Sequence, residues 1–229
     1  MKTTIITLLM LAGSLAVTSK ELPFEIRGKF SRTITKQKLE SAALLRDIIP
    51  GYAHGWIKDY IVVEILTTNK GKVSKATGKD EKITAEQKNI LVSAEAASHI
   101  VVKVQYKEKN SVTSKLETRE MNVSLMVVPE KAAEFPGGNA KMTSYLKANV
   151  IDKIDDLTAE YMLQGIVSFT VNDTGKISNV ALTKSTGSDK IDQLLIDSIS
   201  KMPAWIPASN SKGIKVSQEF EFSVGNQGC

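Results

Sequence analysis

Residues 164–184 read QGIVSFTVNDTGKISNVALTK, and this stretch decides the fold of the C-terminal half. Two runs rich in β-branched residues, 166–171 and 176–184, flank the polar residues Asn172, Asp173 and Gly175. This pattern predicts a β-hairpin, because Asn, Asp and Gly accept the backbone angles of tight turns. The hairpin should form the centre of a small antiparallel sheet.

A helix and a closing strand complete the unit. Apolar residues recur every three or four positions between 189 and 202, which is typical of a helix covering one face of a sheet. Pro203 ends this helix. Residues 213–224 (GIKVSQEFEFSV) alternate apolar and polar side chains, as a half-buried strand does. With a further helix over 139–154, residues 139–229 are predicted to form a three-stranded antiparallel sheet with its helices on one face.

The upstream residues 20–129 predict a separate β-rich domain. Residues 29–35 alternate as a strand should, and residues 60–67, 100–106 and 119–128 are rich in apolar and β-branched side chains. The last two of these runs are expected to pair as a hairpin across 108–117. Helical insertions are expected near 36–47 and 84–97, the second opened by Thr84 and Gln87 as a capping box. The expected fold class is therefore α+β, an antiparallel β-rich domain with helical insertions followed by the smaller sheet unit.

Residues 130–138 are predicted to link the two domains. Prolines and a glycine pair are concentrated in and just before this segment, which ends in Phe135-Pro136-Gly137-Gly138. One interpretation is a turn in which the glycines accept positive φ while Phe135 fills the core. The alternative is a recognition loop for a partner.

The N-terminal residues 1–19 have the three-part pattern of a secretory signal peptide. Lys2 precedes an apolar run over 5–17, and small residues follow. The run is shorter than the roughly 20 residues of a spanning helix. We therefore expect an exported chain with no membrane span after cleavage, and an uncleaved anchor is the alternative. The single cysteine, Cys229, cannot form an internal disulfide.

The ordered set of motifs in the C-terminal half resembles the C-terminal domain of the energy transducer TonB. The upstream half is similar, more weakly, to β-domains of envelope proteins such as the gliding-motility and secretion component GldM, through its Phe30-Ser31-Arg32 opening. The TonB resemblance is carried by Phe135-Pro136-Gly137-Gly138, Gln164-Gly165, the hairpin with Asp173 and Gly175, the helix from Asp189, and Met202-Pro203-Ala204-Trp205-Ile206-Pro207.

The resemblance implies partner binding by strand addition. In that family the last strand receives an extended segment of an outer-membrane β-barrel transporter, and the corresponding strand here is 215–224. The alternative is an ordinary edge strand with charged side chains that prevent aggregation. This chain shows neither the polar-faced membrane helix nor the proline-rich spacer of energy-transducing TonB proteins, and it has six prolines. The implied partner-binding residues are Lys215, Val216, Ser217, Gln218, Glu219, Phe220, Glu221 and Phe222.

No pattern in the sequence points to catalysis, a metal site or nucleic-acid binding. His54 and His99 have no Glu or Cys at ligand spacing, and the net charge of +5 is spread over scattered lysines. We therefore expect a non-enzymatic periplasmic protein without cofactor or metal, peripheral to the outer membrane, that docks on an outer-membrane β-barrel transporter or its plug. The alternative is a structural accessory subunit of a secretion, gliding or outer-membrane assembly machine, and a homodimer is left open.

Overall fold

A computed structural model describes residues 22–49, 51–52, 55–154 and 162–225. The expected signal peptide, His54 and Cys229 lie outside these residues. The described helices are α1 (Lys36–Ser41), α2 (Leu45–Ile48), α3 (Ala85–Ser93), α4 (Gly138–Asn149) and α5 (Asp189–Ser200), with a 3-10 turn at Ile151–Lys153. The described strands are β1 (Phe24–Gly28), β2 (Thr33–Thr35), β3 (Ile57–Asn69), β4 (Lys72–Gly78), β5 (His99–Lys109), β6 (Leu116–Val128), β7 (Gly165–Val171), β8 (Ile177–Lys184), β9 (Ala208–Ser209), β10 (Lys215–Val216) and β11 (Gln218–Val224).

The protein is an α+β protein with predominantly antiparallel sheets. A five-stranded sheet has the order β2-β6-β5-β3-β4, and a four-stranded sheet has the order β1-β11-β7-β8. The strands β9 and β10 form a separate two-stranded ladder. None of the helices among the described residues is long and apolar enough to span a membrane.

The five-stranded sheet follows from residues that alternate between a buried and an exposed face. Val63, Ile65, Val102 and Val104 are fully buried, and they pack with the residues of α1, α2 and α3 on that face. The strands β5 and β6 form the long hairpin expected from the sequence. The predicted capping box at the start of α3 is also present. The structure breaks the strand expected over 29–35, because residues 29–32 connect β1 in one sheet to β2 in the other.

The four-stranded sheet includes a strand from the other end of the chain. The strand β1 pairs antiparallel with β11 from Phe24 opposite Val224 to Gly28 opposite Phe220. Leu22 is buried in the same core, and Phe24 and Ile26 pack against it. The expectation of a three-stranded sheet is therefore wrong. The boundary that placed the start of the chain in the first domain is also wrong, because β1 is a strand of the C-terminal sheet.

The helices α4 and α5 cover one face of this sheet and are joined by hydrogen bonds. The Tyr145 hydroxyl donates to the Ser198 carbonyl oxygen over 2.8 Å, and the Ser198 hydroxyl donates to the Asn149 carbonyl oxygen over 3.0 Å. Leu195 and Ile199 of α5 are fully buried in the core. The helix predicted from the apolar spacing of residues 189–202 is therefore present and packs on the face of the sheet.

The segment expected to be a linker is bound to the C-terminal unit. Lys131 and Glu134 form antiparallel bridges with Ser209 and Ile206. The Ala133 amide also donates to the Gln218 side-chain oxygen over 2.8 Å. Residues 131–134 are therefore held against the C-terminal unit along most of their length.

Candidate functional site

The strand predicted to receive a partner lies in the interior of its sheet. The strand β11 pairs with β7 over its whole length and with β1 from Phe220 to Val224. Phe220 and Phe222 are buried in the core. The expectation that residues 215–224 present an open edge is wrong, because β1 already occupies that side. Pairing with β1 covers Phe220, Glu221 and Phe222, and the Glu219 carbonyl oxygen accepts from the Lys29 amide. Gln218 is paired with Val171 of β7, and its side-chain oxygen accepts from the Ala133 amide.

Two acidic side chains of β11 contact basic side chains of β1 and of the residue that follows it. The Lys29 ammonium lies 2.6 Å from the Glu219 carboxylate, and the Arg27 guanidinium lies 3.8 Å from the Glu221 carboxylate. These side chains are partly exposed, so each pair contributes little to stability by itself. Their arrangement favours the observed register between the two strands, because opposite charges face each other across it.

The remaining residues of the predicted binding strand form a different structure. Lys215 and Val216 make up β10 and pair with Ser209 and Ala208 of β9. Ser217 separates β10 from β11. The eight predicted residues therefore belong to two strands with different neighbours, and they do not form one continuous surface.

Most of the predicted recognition loop is a structural turn. Phe135 is buried, and its ring centroid lies 5.6 Å from that of Trp205 and 5.8 Å from that of Tyr145. Gly137 and Gly138 have φ values of 83° and 75°, which L side chains rarely adopt. The Gly138 amide donates to the Phe135 carbonyl oxygen over 2.8 Å. Pro136 and Gly137 are exposed, but the Phe135 side chain is not accessible to a partner.

Gly175 of the hairpin turn and Trp205 after α5, which both belong to the motifs that carry the TonB resemblance, contact each other. The Trp205 amide donates to the Gly175 carbonyl oxygen over 2.8 Å. A Cβ atom on Gly175 would lie 2.0 Å from the Trp205 carbonyl oxygen. The hairpin turn and the segment after α5 therefore pack backbone against backbone, and only glycine leaves the space for this contact.

The other side of β1 is the regular free edge of the C-terminal sheet among the described residues. At the opposite edge, β8 has two register irregularities against β7, and Asn179 within it has a φ of 51°. Such bulges protect an edge against further pairing. The register of β1 with β11 is unbroken over its five residue pairs.

The hydrogen bonds at the ends of β1 show which of its backbone groups point outward. The Gly225 amide donates to the Pro23 carbonyl oxygen over 2.9 Å, and the Lys29 amide donates to the Glu219 carbonyl oxygen over 3.3 Å. In an antiparallel ladder, alternate residues bond to the same neighbour. The odd-numbered residues of β1 therefore bond to β11. The main-chain groups of Phe24, Ile26 and Gly28 point away from the sheet.

The edges of the five-stranded sheet differ from β1. The strand β2 is short and parallel to β6. The strand β4 carries Lys72 and Lys75, and Lys70 and Lys79 flank it. Lysines on an edge strand disfavour pairing with another chain. The strand β4 also pairs in a regular register, so β1 differs from it by carrying no lysine within the strand.

The part of the chain that the structure describes contains no group of three His, Cys, Asp or Glu residues that could hold a metal. A cavity of about 220 Å³ lies between the two sheets and is lined by Phe30, Met126 and Gln218, among others. Its charged lining residues, Lys29 and Glu219, are paired with each other.

Asp192, a buried carboxylate among the described residues, has a structural role. Asp192 of α5 accepts hydrogen bonds from the Ser185 hydroxyl, the Thr186 hydroxyl and the Thr186 amide at 2.5, 2.6 and 2.8 Å. Burial opposes ionisation, but these hydrogen bonds outweigh it and lower the pKa of Asp192. The interaction fixes the loop between β8 and α5. A Ser-Thr pair shortly before an Asp in the first turn of a helix is the sequence signal for it.

Comparison with known proteins does not assign a family. No protein-family model matches the chain, and no curated protein or solved structure matches it significantly. The class that the fold defines is an α+β protein with two main, predominantly antiparallel sheets. The resemblance to the TonB C-terminal domain stays a sequence-based prediction.

Proposed function

We propose that this protein is a non-enzymatic interaction protein of a bacterial envelope. It binds an extended segment of an outer-membrane β-barrel transporter, or of its plug, by adding that segment as a strand to the C-terminal sheet. The receiving edge is β1, with the outward main-chain groups of Phe24, Ile26 and Gly28. The observation that carries the proposal is the regular, unpaired outer edge of β1.

The alternative of displacing β1 from β11 is energetically unfavourable. Displacement would break the ladder between the strands and expose Leu22, which is buried, together with Phe24 and Ile26. Fully burying one large apolar side chain contributes about 1.5–3 kcal/mol. An incoming strand that replaces β1 must first recover that loss. A strand that pairs outside β1 gains main-chain hydrogen bonds without it.

The location is part of the same proposal. The signal-peptide pattern of residues 1–19 supports export to the periplasm. After export, the edge of β1 lies in the periplasm, where the plugs and periplasmic segments of β-barrel proteins are accessible. A position peripheral to the outer membrane follows from the partner.

Photo-crosslinking in living cells tests the proposal. A photoreactive residue replaces Glu25, which is exposed and lies between two outward-pointing backbone positions. Crosslinked products are identified by mass spectrometry in three backgrounds, wild type, Ile26→Pro and Ile26→Ala. Proline removes the outward amide of Ile26. The alanine variant loses the same side chain but keeps the amide.

We expect a crosslink to an outer-membrane β-barrel protein that persists in Ile26→Ala and is lost in Ile26→Pro. An equal crosslink in both variants would mean that the backbone of β1 is not the receiving edge. Crosslinks confined to subunits of a secretion, gliding or assembly machine would instead support the accessory-subunit alternative.

A further inference from the structure

The strand β1 has a sequence that complements itself. Its five residues, Phe24-Glu25-Ile26-Arg27-Gly28, place an acidic and a basic side chain symmetrically about Ile26. Glu25 and Arg27 are exposed, and the Arg27 guanidinium lies 3.6 Å from the Glu25 carboxylate within the strand. Phe24 and Ile26 face the core of the C-terminal unit and are only partly buried.

The backbone geometry limits how a second β1 could pair with the first. Outward main-chain groups lie on the even-numbered residues, so an antiparallel copy must place even residues opposite even residues. Three registers satisfy this condition with at least three residue pairs. They place at their centres Glu25 opposite Glu25, Ile26 opposite Ile26, or Arg27 opposite Arg27.

Charge selects one of these registers. Centring on Glu25 or on Arg27 brings like charges directly opposite each other, which is destabilising. Centring on Ile26 places Glu25 of each copy opposite Arg27 of the other. These two pairs occupy the non-hydrogen-bonded positions, where side chains of an antiparallel ladder come closest. The same two-fold arrangement puts the partly buried Phe24 and Ile26 of both copies on one face.

We propose that two copies of this chain associate through β1, with Ile26 on the two-fold axis, and join their four-stranded sheets into one continuous sheet. This inference rests on the same free edge as the proposed function. Self-association and capture of a partner segment therefore exclude each other. The paired edge is only five residues long, so the dimer is weak and depends on protein concentration.

The test is sedimentation of the purified full chain over a range of concentrations, with two charge variants. Glu25→Arg gives a chain with Arg at both positions, and Arg27→Glu gives a chain with Glu at both. A dimer of either variant alone places like charges opposite each other across the two-fold axis. An equimolar mixture restores both oppositely charged pairs. We expect each variant alone to dimerise at least about tenfold more weakly than the wild type, since two attractive pairs become repulsive. The mixture should return to the wild-type level.

A monomeric wild type, or variants that dimerise as well as the wild type, would overturn the inference. So would a mixture that fails to recover. Arg27→Glu also loses the contact with Glu221, so thermal unfolding of both variants checks that they are folded. Recovery in the mixture requires folded chains of both kinds.

Disulfide formation provides a second, independent measurement of the register. With Cys229→Ser in both chains, Glu25→Cys is mixed with Arg27→Cys under oxidising conditions. Directly opposite residues in the non-hydrogen-bonded positions have Cα atoms about 4.5 Å apart, within the range of a disulfide. We expect crosslinks mainly between the two different chains. Crosslinks only between identical chains would refute the Ile26-centred register.

The two proposals fail in different ways. A monomeric wild type that still crosslinks to a β-barrel protein in cells removes the dimer and leaves the proposed function. A dimer with the expected charge dependence but without a β-barrel crosslink in cells leaves the dimer and removes the proposed function.

Discussion

Two turns with the same hydrogen-bond pattern allow the contribution of the contact between Gly175 and Trp205 to stability to be measured. In the turns 172–175 and 210–213, the glycine amide donates to the carbonyl oxygen of the first asparagine over 2.9 Å. The side-chain oxygen of each asparagine accepts from the amides of the residues two and four positions later. Gly175 and Gly213 have φ values of 83° and 74°. The turns differ in their surroundings, because a Cβ on Gly213 meets nothing within 4 Å.

Gly213→Ala should therefore cost only the strain of an L side chain at positive φ, about 1 kcal/mol. Gly175→Ala has the same strain and a clash in addition. Its Cβ would lie 2.0 Å from the Trp205 carbonyl oxygen, where ordinary contacts begin at 3.4 Å. One of the two backbones must shift by about 1.4 Å, the difference between these distances.

That shift affects several interactions of Trp205. It breaks or lengthens the 2.8 Å hydrogen bond from the Trp205 amide to Gly175, worth about 1 kcal/mol. It also disturbs the Trp205 ring, whose centroid lies 5.2 Å from that of Phe220 and 5.6 Å from that of Phe135. Aromatic pairs of this kind contribute about 0.5–1.5 kcal/mol each. We expect Gly175→Ala to lower the free energy of unfolding by roughly 3–5 kcal/mol in total.

The assay is urea unfolding of wild type, Gly175→Ala and Gly213→Ala, followed by tryptophan fluorescence and circular dichroism. The expected difference between the two variants is at least about 2 kcal/mol, because only one of them has the clash and the lost hydrogen bond. Equal destabilisation of the two variants would refute the close packing of the hairpin turn against Trp205.

Three further predictions follow from the fold. Phe220→Pro removes an amide that points toward β7, so we expect loss of the C-terminal sheet by circular dichroism and limited proteolysis, and not a selective loss of partner binding. The lowered pKa of Asp192 means that its carboxylate stabilises the folded state fully above its usual value of 3.8, and that this stabilisation is lost as the pH falls through the lower folded value. Asp192→Asn should therefore lower the stability at pH 7 and reduce its decline below about pH 4 in urea titrations. Thr84→Ala should cost about 1 kcal/mol through loss of the α3 cap, and Gln87→Ala about 2–3 kcal/mol, because Gln87 is buried and bonds both the Thr84 amide and the Val63 carbonyl oxygen.

Each of these has a contrary outcome. A native C-terminal sheet in Phe220→Pro would mean that β11 lies at an edge. A pH dependence unchanged by Asp192→Asn would assign the acid sensitivity to other groups. A larger loss for Thr84→Ala than for Gln87→Ala would contradict the buried contact of Gln87 with β3.

Local sequence signals predicted the elements whose pairing partners are near in the chain. The hairpin of β7 and β8, the hairpin of β5 and β6, and the capping box of α3 are present as expected. Each depends on contiguous residues, because turn residues and hydrophobic alternation act over a few positions. The helix α5 likewise follows from its apolar spacing.

The candidate site was predicted only in part. Sequence alternation correctly indicated a strand over most of 215–224, and the glycines after Phe135 indicated a turn. The sequence did not show that Phe24–Gly28 pairs with this strand, because the two segments lie at opposite ends of the chain. Five residues that alternate in polarity fit the edge of either sheet equally well, since the sequence of a strand does not identify the strand with which it pairs.

The sequence by itself thus determined local elements such as the hairpin of β7 and β8, the capping box of α3 and the apolar stripe of α5. Only the tertiary structure decided which strand lies at an edge. An edge exists where a neighbour is missing, and that depends on how distant segments pack together. The strand β11 lies between β1 and β7, so the edge of this part of the sheet, with its open backbone, is β1.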